Sequence, residues 1–156
     1  MEFRDTLAVL REFERESVEY ALVGSMAMAA QGLVRATQDL DVFIAPTAEN
    51  VERVKRALRA VFDDSCIDEI TVEDLAGDYP AVRYIPPGGG FSIDLLARLG
   101  VAFSFADIET ETLDIEGTQV RVATPRMLVR MKRGTLRPLD HADAAALRLR
   151  FGITDE

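Results

Sequence analysis

The chain has 156 residues, of which 48% are apolar and 29% are charged, and its net charge is −9 at neutral pH. This composition is typical of a globular protein, and we expect one domain spanning residues 1–156. A single cysteine and a single histidine exclude an internal disulfide and a zinc site of the usual kind. No apolar segment is long enough to cross a bilayer, and the first sixteen residues are too charged for a secretory signal. We therefore expect a cytoplasmic protein with no membrane partner.

The charge is unevenly distributed along the chain. Residues 121–150 carry eight basic and two acidic side chains, a net charge of +6, so the remaining residues carry −15. A basic surface on an acidic protein would suit a triphosphate or a polynucleotide backbone, and the alternative is a solvated basic helix face. Residues 63–78 carry seven acidic side chains and no basic one, which favours a solvated irregular segment over a docking site for a basic partner.

Two helices are predicted from apolar side chains that recur every three or four positions. The first covers residues 4–17, and its apolar stripe consists of Phe3, Leu7, Leu10 and Phe13. The second covers residues 48–62 and begins after Pro46 and Thr47. Both helices are interpreted as scaffold.

Residues 20–44, between these helices, predict a strand, a glycine turn, a helix reaching residue 34, and a second strand over residues 39–44. Gly24 lets the backbone approach a ligand closely, and Ser25 offers a hydroxyl and free N–H groups where a helix start favours anions. A phosphate would fit there. The alternative is a plain strand-to-helix turn in which Ser25 is the N-cap.

Asp39 and Asp41 lie on the second of these strands and point to the same face, because side chains alternate along a strand. Two adjacent carboxylates repel each other unless a cation lies between them. A hard divalent cation such as Mg²⁺ would relieve the repulsion, because it takes oxygen ligands. The alternative is that both are ordinary surface acids.

Residues 81–85 and 91–96 are predicted to form two strands of a hairpin. Asp94 stands inside the apolar run of the second strand, where an unpaired buried charge would cost several kcal/mol as an order of magnitude. It therefore needs a partner. From the residues alone, the partner could be an arginine such as Arg83 or Arg98, with Asp94 at the strand end.

The last third of the chain predicts a second hairpin followed by two helices. The strands cover residues 108–115 and 119–123, and the helices cover residues 126–133 and 139–151. The first helix begins with Thr124 as N-cap and Pro125 at its first position, and it ends at Gly134. The second is expected to pack through small or apolar side chains, which are Ala142, Ala145, Ala146 and Leu149.

Val23-Gly24-Ser25 followed by Asp39-Leu40-Asp41 resembles the signature of the nucleotidyltransferase superfamily typified by DNA polymerase beta. A longer set of residues resembles the AbiEii-type toxin nucleotidyltransferases and their short relatives. It consists of Gly24, Ser25, Gly32, Arg35, Thr37, Asp39, Asp41, Lys132 and the segment Arg137-x-x-Asp140-x-x-Asp143. The resemblance implies an α+β nucleotidyltransferase fold, a mixed β-sheet with helices packed on it, in which the helices of residues 124–151 are an integral part.

The resemblance also implies a role for each matching residue. The implied catalytic residues are Asp39, Asp41, Asp94 and Lys132, and the first three would hold two Mg²⁺ ions. The implied nucleotide-binding residues are Gly24, Ser25, Arg35, Thr37, Lys132, Arg137 and Asp143. Asp140 and Asp143 have an alternative role, in which they complement the helix N-terminal dipole and pair with Arg137.

By the same resemblance, the protein would transfer a nucleoside monophosphate from a nucleoside triphosphate to an acceptor hydroxyl. AbiEii-type similarity implies a toxin that modifies transfer RNA and has a cognate antitoxin protein. One alternative is a small-molecule nucleotidyltransferase of the aminoglycoside-resistance type, with an acidic acceptor pocket. Another is a non-catalytic nucleotide-binding or antitoxin-like module.

Overall fold

The computed structural model describes residues 3–33, 39–77, 80–99, 103–133 and 135–154. The α-helices in these segments are α1 (Phe3–Arg15), α2 (Gly24–Ala30), α3 (Ala48–Val61), α4 (Pro125–Arg133) and α5 (Pro138–Phe151). The strands are β1 (Tyr20–Val23), β2 (Asp39–Ile44), β3 (Ala81–Tyr84), β4 (Ser92–Leu96), β5 (Arg98–Leu99), β6 (Phe103–Ser104), β7 (Thr110–Ile115) and β8 (Thr118–Ala123). The acidic segment that was expected to be irregular contains two short 3₁₀ helices, Ser65–Glu69 and Glu73–Leu75.

Six strands form one mixed sheet in the order β3-β4-β2-β1-β8-β7, and β5 pairs with β6 separately. β2 lies near the centre, parallel to β4 and antiparallel to β1. β1 is parallel to β8, and the two predicted hairpins, β3-β4 and β7-β8, are antiparallel. The predicted α+β class, a mixed sheet with helices packed on it, is confirmed.

The hydrophobic core lies between the sheet and the helices. Leu7, Leu10 and Phe13 of α1 are buried as predicted, and the Phe13 ring packs edge-on against Tyr20 with ring centroids 5.3 Å apart. Val51, Val54 and Leu58 of α3 are buried in the same cluster. No helix in the described segments combines the length and the apolar character that crossing a membrane would require.

The helix starts follow local hydrogen bonding. The Thr47 and Thr124 hydroxyls accept bonds from the backbone N–H groups of residues 50 and 127, both at 3.2 Å, as N-cap residues do. α2 begins at Gly24 itself, so Ser25 lies in its first turn and the alternative with Ser25 as N-cap is wrong. The expected helix end at Gly134 lies outside the described residues.

The buried face of α5 differs from the prediction. The four residues expected to pack are exposed: Ala142, Ala145, Ala146 and Leu149. The buried ones are Asp140, Asp143, Ala144 and Leu147. The physical reason is that α5 packs on α4, where Lys132 neutralises the two carboxylates. An acid with a buried basic partner can occupy a helix's packed face, and hydrophobic spacing alone does not reveal this.

Candidate active site

The register of the sheet brings three carboxylates together. In the parallel pair of β2 and β4, Asp41 lies beside Asp94 and Asp39 lies beside Ser92. Alternation along each strand puts all four side chains on one face, while the residues between them are buried on the other. The three acids line a cavity of about 380 Å³.

Gly24 closes one side of this cavity. Its φ of +70° is a conformation that side chains disfavour, and a Cβ there would lie 2.5 Å from Asp41 Oδ2 and 3.2 Å from Asp41 Cβ. The turn between β1 and α2 therefore brings bare backbone against the Asp41 carboxylate. Ser25 follows in the first turn of α2 and also lines the cavity.

The environment of Asp41 disfavours its ionised form. Burial raises the pKa of Asp41 to about 7, with further contributions from hydrogen bonding to Asp94 and from the charges of Asp94 and Asp39. The Arg83 guanidinium opposes these effects. Asp41 is therefore harder to ionise than an ordinary carboxyl group in the absence of a cation.

The other two carboxylates have partners within the protein. Arg83 donates to both oxygens of Asp94, through Nε at 2.9 Å and Nη2 at 3.2 Å. The ion pair with Arg83 is one of the alternatives for Asp94 that the sequence left open, whereas Arg98 donates to the Gly77 carbonyl. The Ser92 hydroxyl donates to Asp39 Oδ1 at 2.6 Å.

The opposite wall of the cavity comes from α4 and α5. Lys132 Nζ donates to Asp143 Oδ2 at 3.0 Å and to Asp140 Oδ1 at 3.5 Å. The Thr135 hydroxyl donates to the other oxygen of Asp140 at 2.9 Å, and Arg137 Nε lies 3.8 Å from that same oxygen. Lys132 is therefore held in place by two acids of α5, and both acids line the cavity.

The structure thus gathers most of the residues that the sequence singled out around one cavity. These are Gly24, Ser25, Asp39, Asp41, Asp94, Lys132, Arg137, Asp140 and Asp143. Arg35 and Thr37 lie outside the described residues. Sequence reasoning missed Ser92 and Thr135. Ser92 stands two positions before Asp94 and therefore on the same strand face, a signal that could have identified it.

A second cavity of about 420 Å³ adjoins the first and shares five lining residues with it: Gly24, Asp41, Lys132, Arg137 and Asp140. Its other walls are mainly apolar and include Phe43, Leu96, Leu99, Leu128 and Met131. The site as a whole therefore has a highly charged half and an apolar half. This combination suits a ligand that has both phosphates and a flat or apolar group.

The carboxylates have the right chemistry for a hard divalent cation, because oxygen donors from three side chains face one space. Within the described segments, however, no three acidic, histidine or cysteine side chains are already arranged to hold a metal ion. Both Asp94 oxygens accept hydrogen bonds from Arg83, and one Asp39 oxygen accepts a hydrogen bond from Ser92. The donor set fits such an ion once the Arg83–Asp94 ion pair opens.

No protein-family model matches the chain, and no curated protein matches it either. Several solved structures do. The lincosamide antibiotic adenylyltransferase LnuA, solved with lincomycin bound, is 11% identical with a TM-score of 0.60, over 95% of this chain and 97% of that one. ANT(2")-Ia, solved in complex with adenylyl-2"-tobramycin, is 14% identical with a TM-score of 0.55, over 97% of this chain and 91% of that one.

An antigenic nucleotidyltransferase-like protein from Paracoccidioides brasiliensis is also similar, with 17% identity and a TM-score of 0.57, over 94% of this chain and 75% of that one. Identities this low establish shared architecture rather than shared substrates. The chain therefore has the nucleotidyltransferase fold.

Proposed function

We propose that the protein is a Mg²⁺-dependent nucleotidyltransferase that moves a nucleoside monophosphate from a nucleoside triphosphate to an acceptor hydroxyl. The observation that carries this proposal is the single cavity with three carboxylates on one wall and Lys132 and Arg137 on the other. Carboxylates attract a divalent cation, and the basic side chains attract the phosphates that accompany it.

Asp39, Asp41 and Asp94 would hold two Mg²⁺ ions. When bound, these ions would stabilise the negative charge that develops on the attacking and leaving oxygens. Asp41 must be deprotonated to serve as a ligand, so its raised pKa opposes metal binding as the pH falls.

The chain's own groups would bind and orient the triphosphate. The Gly24 backbone can lie close to a phosphate because no side chain intervenes, and the Ser25 hydroxyl can donate to a phosphate oxygen. Lys132 would neutralise the charge of the leaving pyrophosphate, while Asp140 and Asp143 fix its ammonium group. Because α4 and α5 supply these groups, we include residues 124–151 in one catalytic domain.

Further nucleotide contacts are proposed for Arg137, Asp143, Arg35 and Thr37 on the basis of the AbiEii-type resemblance. In the reaction, the acceptor oxygen forms a bond to the α phosphorus. The bond from that phosphorus to the bridging oxygen breaks, and the electron pair leaves with pyrophosphate. A carboxylate of the cluster accepts the hydroxyl proton.

For the acceptor, we propose transfer RNA, with the protein acting as the toxin of a pair that includes a cognate antitoxin protein. The supporting observation is a row of exposed arginines on α4: Arg126, Arg130 and Arg133. Their spacing puts them on one exposed face of the helix, opposite the face of Leu128, Met131 and Lys132 that lines the cavities, and a polynucleotide backbone could be bound there. Such an enzyme would act in the cytoplasm, where its substrates are.

A small-molecule acceptor is the second candidate. The apolar cavity of about 420 Å³ favours it, because this volume is in the range of sites for small organic ligands. Two of the similar structures, LnuA and ANT(2")-Ia, contain lincomycin and adenylyl-2"-tobramycin respectively. The acidic remainder of the chain would also attract a basic aminoglycoside.

The test is incubation with each α-³²P-labelled nucleoside triphosphate, Mg²⁺, and either transfer RNA, aminoglycosides or lincosamides. We expect labelled transfer RNA with the wild-type protein and no labelling with Asp41→Asn. Asp63→Asn, at an exposed position outside the cavity, is the matched control and should label normally. A labelled antibiotic would favour the second candidate. Nucleotide binding without transfer to any acceptor would indicate a non-catalytic module and contradict the proposal.

A further inference from the structure

The positively charged side chain of Arg83 lies next to the acidic cluster formed by Asp39, Asp41 and Asp94. It lies opposite Asp94 in the antiparallel pair of β3 and β4, so both side chains leave the same face of the sheet. Its planar guanidinium engages both carboxylate oxygens, the geometry of the stronger arginine–carboxylate pairs. Arg83 also lines the cavity of about 380 Å³ that contains the three acids.

The two partners are unequally exposed. The Asp94 side chain is 17% exposed, whereas the Arg83 side chain is 63% exposed. An exposed guanidinium can turn into water at little cost, but a nearly buried carboxylate beside two other acids needs a positive charge close to it. The ion pair can therefore open on the Arg83 side, provided that another cation takes its place.

A divalent cation requires the oxygens that Arg83 occupies. In the structure, both Asp94 oxygens accept hydrogen bonds from Arg83, so a cation that bound them would have to displace the guanidinium. We infer that Arg83 is an internal competitor for the divalent cation: the Arg83–Asp94 ion pair closes the site, and cation binding releases Arg83. This inference rests on the proposed function, and it adds a regulatory residue that lies outside the nucleotidyltransferase motifs.

Mn²⁺ binding measured by electron paramagnetic resonance tests the inference without any turnover. Arg83→Met should bind Mn²⁺ about tenfold more tightly than wild type, a change of about 1.4 kcal/mol. Arg83→Lys keeps the positive charge but loses the bidentate hydrogen bonding, and its Mn²⁺ affinity should lie between those of wild type and Arg83→Met. Arg98→Met, which removes one positive charge outside the cavity, is the matched control and should change the affinity by less than about twofold.

A second measurement follows Arg83 itself in the wild-type protein. The ¹⁵N resonance of its Nε–H group, assigned by its absence in Arg83→Lys, should shift on Mg²⁺ titration and exchange faster with water as the bond to Asp94 opens. An unchanged signal at saturating Mg²⁺ would overturn the inference.

The outcomes separate this inference from the proposed function. Binding of Mn²⁺ by wild type but not by Asp41→Asn would support the metal site. If Arg83→Met then binds Mn²⁺ no more tightly than wild type does, the competitor role of Arg83 is wrong. If only Arg83→Met binds measurably, the competitor role is supported. If no variant binds Mn²⁺, both the inference and the proposed metal site fail.

Discussion

At the residue scale, the site depends on acids that are costly to hold together. Asp41 and Asp94 are neighbours across β2 and β4; the pKa of Asp41 is raised, and Asp94 forms an ion pair with Arg83. The spacing of Asp39 and Asp41 predicted that they share a strand face. That spacing could not reveal that Arg83 contacts Asp94, because this contact depends on the register between β3 and β4.

The raised pKa of Asp41 predicts how stability depends on pH. With a folded-state pKa of about 7 against the ordinary value of 3.8, Asp41 stays protonated in the folded protein and ionises on unfolding. The metal-free protein should therefore lose stability as pH rises from about 4 to about 7. Urea denaturation with a chelator present measures this. Asp41→Asn should lose less stability across that interval, and an identical loss would contradict the assignment.

Gly24 provides a second prediction at this scale. Gly24→Ala should lower the free energy of unfolding by about 2 to 4 kcal/mol, because it combines an unfavourable φ with a Cβ pressed against Asp41. Gly88→Ala is the matched control, since Gly88 has a φ of +91° but no atom within 4 Å of a new Cβ. Its cost should be about 1 kcal/mol, from backbone strain alone. Equal costs in chemical denaturation would show that the approach to Asp41 is unimportant.

At the element scale, α4 and α5 form the wall of the site opposite the three carboxylates, and this wall carries both basic and acidic side chains. Both helices were predicted, with Thr124 and Pro125 marking the start of the first and a small-residue face expected on the second. The buried face of α5 was predicted wrongly, because Asp140 and Asp143 are packed against Lys132 and pattern alone treats acids as exposed. A charged residue's burial depends on its partner, and the partner is known only when two helices are placed together.

A double-mutant cycle tests the pairing of these helices. Lys132→Met and Asp143→Asn should show a coupling free energy of about 1 to 3 kcal/mol, because both side chains are largely buried and in direct contact. The surface pair of Glu49 and Arg53 on α3, in which Glu49 is exposed and Arg53 half-buried, is the control, with at most about 0.5 kcal/mol. Stability measured in urea gives both values. A coupling near zero for the buried pair would mean that Lys132 is not positioned by Asp143.

The arginines of α4 provide a test of the acceptor. Replacing Arg130 and Arg133 by glutamine should raise the KM for transfer RNA and flatten its dependence on salt, because each lost phosphate contact removes counterion release. The same change should leave labelling of a small molecule nearly unaltered. Replacing Arg11 and Arg15, exposed on α1, removes equal charge and should have little effect on either. Equal effects of the two double substitutions would argue against binding of RNA by α4.

At the scale of the whole molecule, the sheet assembles the site from distant parts of the sequence. Strands were predictable from alternation and turn residues, and the resemblance supplied the α+β class. The strand order β3-β4-β2-β1-β8-β7 could not be predicted from the sequence, because strand order depends on long-range packing. That order puts Ser92 beside Asp39, a contact that sequence patterns could not establish, while the register of the β3-β4 hairpin puts Arg83 beside Asp94.

The most direct measurement of the central claim is a crystal structure with Mn²⁺ and a non-hydrolysable nucleoside triphosphate analogue, in which the anomalous signal locates the metal. The account predicts Mn²⁺ peaks among the carboxylates of Asp39, Asp41 and Asp94, with the triphosphate between Gly24 and Lys132. Metal peaks away from these three acids, or a triphosphate bound outside this cavity, would contradict it.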